Sequence, residues 1–100
     1  MNDLLIKGGT LVDPAQAIHG TKDVAFSNRK VVEVADDLPA NESREVINAK
    51  GLIVTPGLID LHVHVFYGVR HLGVEPDPTC LARGATTVVD AGSAGADTFP

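Results

Sequence analysis

Residues 56–64 read P-G-L-I-D-L-H-V-H and place two of the chain's four histidines, His62 and His64, one residue apart at the end of an apolar run. If this run is a β-strand, Asp60 and both histidines share one face, and the opposite face is purely apolar. The two histidine Cα atoms then lie about 6.7 Å apart, close enough for both imidazoles to bind one metal ion. In an α-helix the same spacing would point the rings to opposite sides. A shared metal therefore requires the strand.

The segment that follows predicts a second strand beside the first. Residues 79–83, T-C-L-A-R, can form a short helix, with Asp77 or Thr79 as its N-cap and Gly84 at its end. Residues 85–91, A-T-T-V-V-D-A, are β-branched and apolar, which is typical of a buried strand. Strand, helix and strand make a βαβ unit with parallel strands and a right-handed crossover. The histidines would lie at the carboxyl end of its first strand, where α/β folds place their sites.

The first half of the chain predicts a small, half-open β domain. Gly8 and Gly9 favour a tight hairpin, Asp13 and Pro14 end a strand, and residues 27–29 form a turn. Residues 35–43 are polar and contain a proline, so we expect a surface loop there. We assign no function to His19, which lies in a polar segment between predicted strands. Six short runs rich in Leu, Ile and Val are the predicted strands, at residues 4–6, 10–12, 23–26, 31–34, 45–47 and 52–54.

Length and composition are those of an ordinary small globular protein, with 100 residues of which 44% are hydrophobic. The 13 acidic and 8 basic residues are scattered, which argues against nucleic-acid binding and against a polybasic membrane patch. No apolar run approaches the roughly 18 residues of a membrane span, and the start lacks the pattern of a signal peptide, so we expect a cytoplasmic protein. Cys80 is the one cysteine and predicts a small buried side chain.

Three segments together resemble the start of the amidohydrolase superfamily of metal-dependent hydrolases, closest to its dihydroorotase-like deacetylase branch. They are residues 56–64, residues 84–95 (G-A-T-T-V-V-D-A-G-S-A-G) and residues 3–14 (D-L-L-I-K-G-G-T-L-V-D-P). The resemblance implies an α/β fold in which residues 1–55 belong to a small β-sandwich and residues 56–100 begin a (β/α)8 barrel. Because such a barrel needs about 250 residues, we expect an N-terminal fragment that is inactive alone.

The resemblance also implies a chemistry. The family hydrolyses an amide C–N bond, or an ester, of a small acylated or cyclic-amide substrate through metal-bound hydroxide. It would use His62 and His64 to bind one or two divalent ions, usually zinc, although two histidines also suit other divalent metals. Asp60 would orient an imidazole or form a structural hydrogen bond. The remaining ligands and the proton-transferring aspartate would follow Pro100, so no catalytic residue is expected within the chain.

Two positions bear on the substrate. Dihydroorotases typically carry an arginine two residues after the histidine pair, and Phe66 in that place favours an N-acyl or O-acyl deacylase. Ser93 falls where those relatives have a substrate-binding asparagine, which makes it a candidate substrate contact. Arg70 and His71 are interpreted as loop residues without a special role.

Other functions remain open at this point. They are a metal-free amidohydrolase-like scaffold, a cyclic amidase of the dihydroorotase or hydantoinase type, and a free-standing β module that binds a partner. For the hydrolase we expect a small-molecule substrate, no nucleic acid, no membrane and a homo-oligomeric parent protein.

Overall fold

Strands dominate the computed structural model, which describes residues 1–68 and 73–93. The chain divides into two units, Met1–Pro56 and Gly57–Pro100. The strands are β1 (Asn2–Asp13), β2 (Ile18–Ser27), β3 (Lys30–Ala35), β4 (Ser43–Asn48), β5 (Ile53–Val54), β6 (Leu58–Val63) and β7 (Ala85–Asp90). The helical pieces are one α-helical turn, α1 (Pro76–Thr79), and three 3-10 turns at Pro14–Gln16, Ala40–Glu42 and Leu81–Arg83. No helix in the described part of the chain is long and apolar enough to cross a membrane.

The first unit is a five-stranded sheet in the order β3-β2-β1-β4, with β5 also paired to β1. The pairs β1–β2 and β2–β3 are antiparallel, whereas β4 and β5 run parallel to β1. The predicted strands at residues 4–6 and 10–12 are one strand, so the hairpin predicted at Gly8 and Gly9 is wrong. Both flanking segments of β1 pair with β2, and the register shifts between Ile6 and Gly9. The two glycines therefore form a bulge inside a strand.

The geometry of the two glycines explains the bulge. Gly8 has φ of +77°, a left-handed conformation that favours glycine. A Cβ atom on Gly9 would come within 2.6 Å of the Val54 Cγ2 atom and 3.0 Å of the Ala49 Cβ atom. The absence of a side chain, which would also permit a hairpin, here allows β1 to bend at Gly8 and β5 to pack closely against Gly9.

The β2 strand begins earlier than the sequence predicts. His19 lies within it, opposite Val12 of β1, and not in a polar segment between strands. The 3-10 turn after Asp13 reverses the chain, so pairing resumes at once with Ile18. The predicted end of β1 at Asp13 and the predicted turn between β2 and β3 are both confirmed.

The core of the first unit contains Leu5, Ala25 and Leu38, with Ala35 packed against them. Leu38 lies in the segment that we predicted as a surface loop, and it is buried because it closes the core over β1 and β2. Asp23 is also buried, at 2% exposure. Its carboxylate accepts hydrogen bonds from Lys7 Nζ at 2.8 Å, Gly8 N at 2.7 Å and Leu38 N at 2.9 Å. Asp23 therefore joins the bulge to the loop.

In the second unit, β6 and β7 are parallel, as predicted. The helix predicted at residues 79–83 is displaced, because α1 begins at Pro76 and a 3-10 turn follows it. Its N-cap is Glu75, without a side-chain cap, and not Asp77 or Thr79. Proline at the first helical position fixes φ for the helix and starts it early. Gly84 ends the helical segment with φ of +97°, as predicted.

Both strands of this unit are largely exposed, so the burial predicted for residues 85–91, which contain β7, is wrong. Leu58 is 54% exposed and Leu61 72% exposed. Within residues 1–68 and 73–93, β6 pairs only with β7, so its other edge has no partner strand. At its start, a Cβ atom on Gly57 would overlap the side chain of Thr86 in β7. This contact explains the glycine that precedes β6. Cys80 is buried and free, as predicted.

Candidate functional site

The two histidines lie side by side at the carboxyl end of β6. His62 is the second-to-last residue of the strand, and His64 follows its final residue, Val63. Their ring centroids are 5.6 Å apart and the ring planes meet at 75°. This separation allows one ion between the rings at Zn–N distances of about 2.0–2.1 Å. The predicted convergence of the two imidazoles is thus present in the fold.

The described residues contain no group of three or more His, Cys, Asp and Glu side chains that could hold a metal ion. A metal ion bound by the two histidines would therefore need further ligands. A four-coordinate zinc site takes its other ligands from further side chains, substrate or solvent.

Asp60 lies two residues before His62, on the same strand. Its Oδ1 atom accepts a hydrogen bond from the His62 backbone N–H at 3.1 Å. This bond holds the strand backbone beneath the histidine rather than an imidazole ring. Of the two roles expected for Asp60, the bond matches the structural one.

Asp90, the last residue of β7, ties the ends of the two strands together. Its Oδ2 atom accepts a hydrogen bond from Val65 N at 2.9 Å, just beyond β6. Its Oδ1 atom accepts hydrogen bonds from Gly92 N at 3.0 Å and Ser93 N at 2.7 Å. The carboxylate therefore fixes the segment after His64 against the loop after β7.

These bonds hold the pKa of the Asp90 carboxyl well below its usual range. The backbone N–H of Ser93 contributes most, followed by the N–H of Val65, and the N–H of Gly92 adds to them; together they outweigh the opposing effect of desolvation. Asp90 was not among the residues predicted from the sequence. The signal was present, since an aspartate between a β-branched run and Ala-Gly is typical of a side chain that caps a turn, here at the carboxyl end of a parallel strand.

Ser93 lies in the loop after β7 and is 2% exposed. Its Oγ atom is 2.9 Å from His64 Nδ1. The structure thus brings Ser93 against one predicted ligand, through the loop that Asp90 anchors. Phe66 is half-buried just after the pair. Arg70 and His71 lie outside the described residues.

The chain has close sequence relatives, although no family model matches it. It is 51% identical over 63 residues to a dihydroorotase from Citrifermentans bemidjiense, a match that covers 63% of this chain and 15% of the relative. It is 41% identical over 70 residues to a deacetylase from Agrobacterium fabrum, which covers 70% of this chain and 17% of the relative. The matched part thus represents about one sixth of these proteins.

Solved structures give the same relationship. A dihydroorotase crystal structure aligns with a TM-score of 0.76 and 31% identity, over 95% of this chain and 25% of that one. The N-acyl-D-glutamate deacylase of Bordetella bronchiseptica, solved with zinc and a phosphonate inhibitor, aligns with a TM-score of 0.67 and 30% identity, over 87% of this chain and 18% of that one. Both the family resemblance and the fold class predicted from the sequence are confirmed: the chain is similar in sequence and structure to dihydroorotases and deacylases, and it spans between about one seventh and one quarter of their length.

Proposed function

We propose that this chain supplies the first two metal ligands, His62 and His64, of a hydrolase that cleaves C–N bonds other than peptide bonds. The observation that carries the proposal is the placement of both imidazoles, 5.6 Å apart, at the carboxyl end of a parallel strand. The names of the relatives, dihydroorotase and deacetylase, support the same reaction class.

The donor set fits a divalent ion such as zinc, because neutral imidazoles are among its preferred ligands. Zinc is favoured because the similar Bordetella deacylase was solved with it. One or two ions would be held, with His62 and His64 as ligands of one of them. A bound ion supplies Lewis-acid polarisation of the substrate carbonyl and makes a coordinated water more acidic. The chain's own contribution is to hold both rings on one side of β6, with Asp60 fixing the backbone beneath them.

The substrate class that we favour is a small N-acylated or O-acylated molecule. Phe66 stands where dihydroorotases typically carry an arginine, and an apolar ring cannot form the paired hydrogen bonds by which arginine binds a carboxylate. The alternative is a cyclic amidase of the dihydroorotase type, which the 51% identity to a dihydroorotase favours. A direct contact of Ser93 with substrate and a homo-oligomeric state both remain predictions.

Metal binding tests the proposal most directly. Isothermal titration with Zn²⁺ is carried out on the wild type, on His62→Ala and on His64→Ala. Each variant is expected to weaken binding by about tenfold or more, since each removes one ligand. The matched control is His19→Ala, because His19 lies in β2 of the other unit and is exposed. Equal affinities for all four proteins would reject the site.

A substrate screen separates the candidate activities. The complete hydrolase that contains this chain, purified and loaded with zinc, is assayed against N-acetylated amino acids, simple acyl esters and dihydroorotate. Turnover of acylated substrates that is abolished by a chelator supports the deacylase. Turnover of dihydroorotate alone supports the cyclic amidase, and metal binding without turnover of any of them supports a scaffold.

A further inference from the structure

We infer that Gly73 and Val74 are positioning residues. They hold the backbone from His64 to Phe66 and thereby set the position of the His64 ring for a metal ion. These two residues are called the clasp below. The inference rests on the proposed function for the metal, whereas the clasp itself belongs to the metal-free protein and can be measured there.

The first contact of the clasp is a backbone hydrogen bond to His64. The Val74 N–H donates to the His64 carbonyl at 2.9 Å. The Val74 side chain is 40% exposed, so the contribution of this residue lies in its N–H group more than in side-chain packing. Val74 therefore fixes the backbone of a predicted metal ligand directly.

The second contact is the close approach of Gly73 to the segment that follows His64. A Cβ atom on Gly73 would lie 2.8 Å from the Phe66 carbonyl oxygen, 3.2 Å from the Phe66 carbonyl carbon and 3.3 Å from the Tyr67 Cα atom. Carbon atoms in van der Waals contact are normally about 3.5–4.0 Å apart. All three atoms belong to the backbone, so rotation of a side chain cannot make room. A larger residue at position 73 must therefore displace Phe66 or open the clasp.

The clasp completes the bonds that surround His64. This residue follows the last residue of β6. Its two neighbours are tied to the end of β7 by one hydrogen bond each, from Ala91 N to the Val63 carbonyl at 2.8 Å and from Val65 N to Asp90 Oδ2 at 2.9 Å. The His64 carbonyl is instead tied to the clasp. The backbone around His64 is thus held by two different segments of the chain.

A metal ligand must be held close to its productive geometry by the groups around it. Loss of a group that orients a histidine ligand typically weakens metal binding about 10–100-fold. Because the clasp holds the backbone of His64 and not its ring, we expect an effect of about tenfold, at the lower end of this range. His62 lies within β6, so the effect should arise from one ligand of the pair.

The first experiment measures the clasp without metal, in the complete hydrolase that contains this chain. Hydrogen-exchange mass spectrometry is used to follow the Val74 amide. In the wild type this amide is expected to exchange at least about tenfold more slowly than an unprotected amide, because the bond to His64 must open first. Gly73→Ala is expected to remove most of this protection. An unprotected Val74 amide in the wild type overturns the inference.

Gly68→Ala is the matched control for the exchange experiment. Gly68 has φ of +83°, so alanine strains the backbone there, but no described atom lies within 4 Å of its Cβ position. The Val74 amide is therefore expected to stay protected in this variant. Equal loss of protection in Gly68→Ala and Gly73→Ala would show that the close contact with Phe66 has no special role.

The second experiment measures Zn²⁺ affinity of the same complete hydrolase by competition with a chelator. Gly73→Ala and Val74→Pro are each expected to weaken binding about tenfold, the latter because proline has no N–H to donate to His64. Val74→Ala keeps the N–H and is expected to bind zinc like the wild type. Far-UV circular dichroism shows which variants fold, and either clasp variant alone can carry the test.

Cobalt provides a readout that a loss of stability alone would not change. The visible absorption bands of bound Co²⁺ depend on the geometry of its ligands, and they are expected to shift in the clasp variants but not in Val74→Ala. If the folded clasp variants keep the wild-type zinc affinity and cobalt spectrum, the positioning role is refuted. If the wild type binds neither ion, the proposed function fails, and the positioning role fails with it.

Discussion

The ammonium of Lys7 donates a hydrogen bond of 2.8 Å to the buried carboxylate of Asp23, across the bulge of β1. Lys7 also donates to Asp37 Oδ1 at 2.6 Å and to the Leu38 carbonyl at 2.8 Å. The carboxylate accepts two further backbone hydrogen bonds, so this buried charge is both ion-paired and hydrogen-bonded. This pair holds together the bulge, β2 and the loop before β4.

Removal of the Asp23 carboxylate is expected to destabilise the first unit strongly. Asp23→Ala leaves the backbone N–H groups of Gly8 and Leu38 without their acceptor, and a buried donor left unsatisfied costs about 1–3 kcal/mol. Lys7 is 34% exposed and keeps its bonds to Asp37 and the Leu38 carbonyl, so it adds less. Urea denaturation gives the free energy of unfolding. Asp36→Ala is the matched control, because the Lys22–Asp36 pair is at the surface, where such pairs contribute about 0–1 kcal/mol. Similar losses in both variants would contradict the prediction.

The stability of the first unit is expected to depend on pH through Asp23. Burial raises the pKa of this carboxyl, but hydrogen bonds from Lys7, Leu38 N and Gly8 N and the charge of Lys7 lower it further, so the pKa in the folded protein lies below its usual value. The unfolded chain therefore binds more protons in acid, and the free energy of unfolding rises with pH there.

The contribution of Asp23 is fully present above the unfolded pKa of about 3.9. It is lost as the pH falls through the lower folded pKa. Unfolding curves between about pH 7 and pH 2.5 measure this loss. Asp23→Asn is expected to give a flatter profile in acid than the wild type, and parallel profiles would count against the assignment.

Gly57→Ala is expected to destabilise the second unit, because the added methyl group overlaps Thr86. Overpacking of this kind typically costs about 1–3 kcal/mol. Thr86→Gly removes the overlapping atoms, so the double variant should show a favourable coupling energy in a double-mutant cycle. Gly20→Ala is the control, since nothing lies within 4 Å of a Cβ atom there. Additive effects of the two substitutions would show that the overlap is relieved in another way.

Arg29→Gly is expected to stabilise the first unit by about 1 kcal/mol. Arg29 has φ of +63° in the turn between β2 and β3, a conformation that costs non-glycine residues about 1–2 kcal/mol. Part of this gain is offset by the greater freedom of glycine in the unfolded chain. Lys30→Gly, one residue later inside β3, should instead lower the melting temperature. A lower melting temperature for Arg29→Gly would refute the prediction.

The strands of this fold were predictable wherever a β-branched run ended at turn chemistry. The turn at Asn28 and Arg29 and the end of β1 at Asp13 were found in this way. Gly8 and Gly9 were not, because a positive φ serves a hairpin or a bulge equally well, and only the later partner strand decides between them. His19 was wrongly predicted to lie between strands for a similar reason. Its segment is polar and lacks a strand pattern of its own, and it becomes a strand only because it pairs with β1.

The candidate site was predictable to the extent that alternation along one strand determines it. The approach of His62 to His64 follows from their spacing. The roles of Asp90 and Ser93 depend on how the loop after β7 folds back to β6, which no local pattern fixes. Ser93 was singled out from the family resemblance, but its contact with His64 emerges only from the packed loop.

The strand β1 pairs with one strand that is near in sequence and with two that are far away in sequence, and this difference predicts the order in which the pairs form. Its antiparallel partner β2 follows after a single 3-10 turn, whereas its parallel neighbours arrive much later in the chain, with Asn2 opposite Ser43 and Thr10 opposite Ile53. Because a long loop must close first, the pairing of β1 with β4 and β5 is delayed. The β1–β2–β3 meander is therefore expected to form first, while the other edge of β1 stays unpaired until residues 43–54 dock. During that interval the open edge can recruit the same segment from another chain, so strand exchange competes with correct folding at high protein concentration.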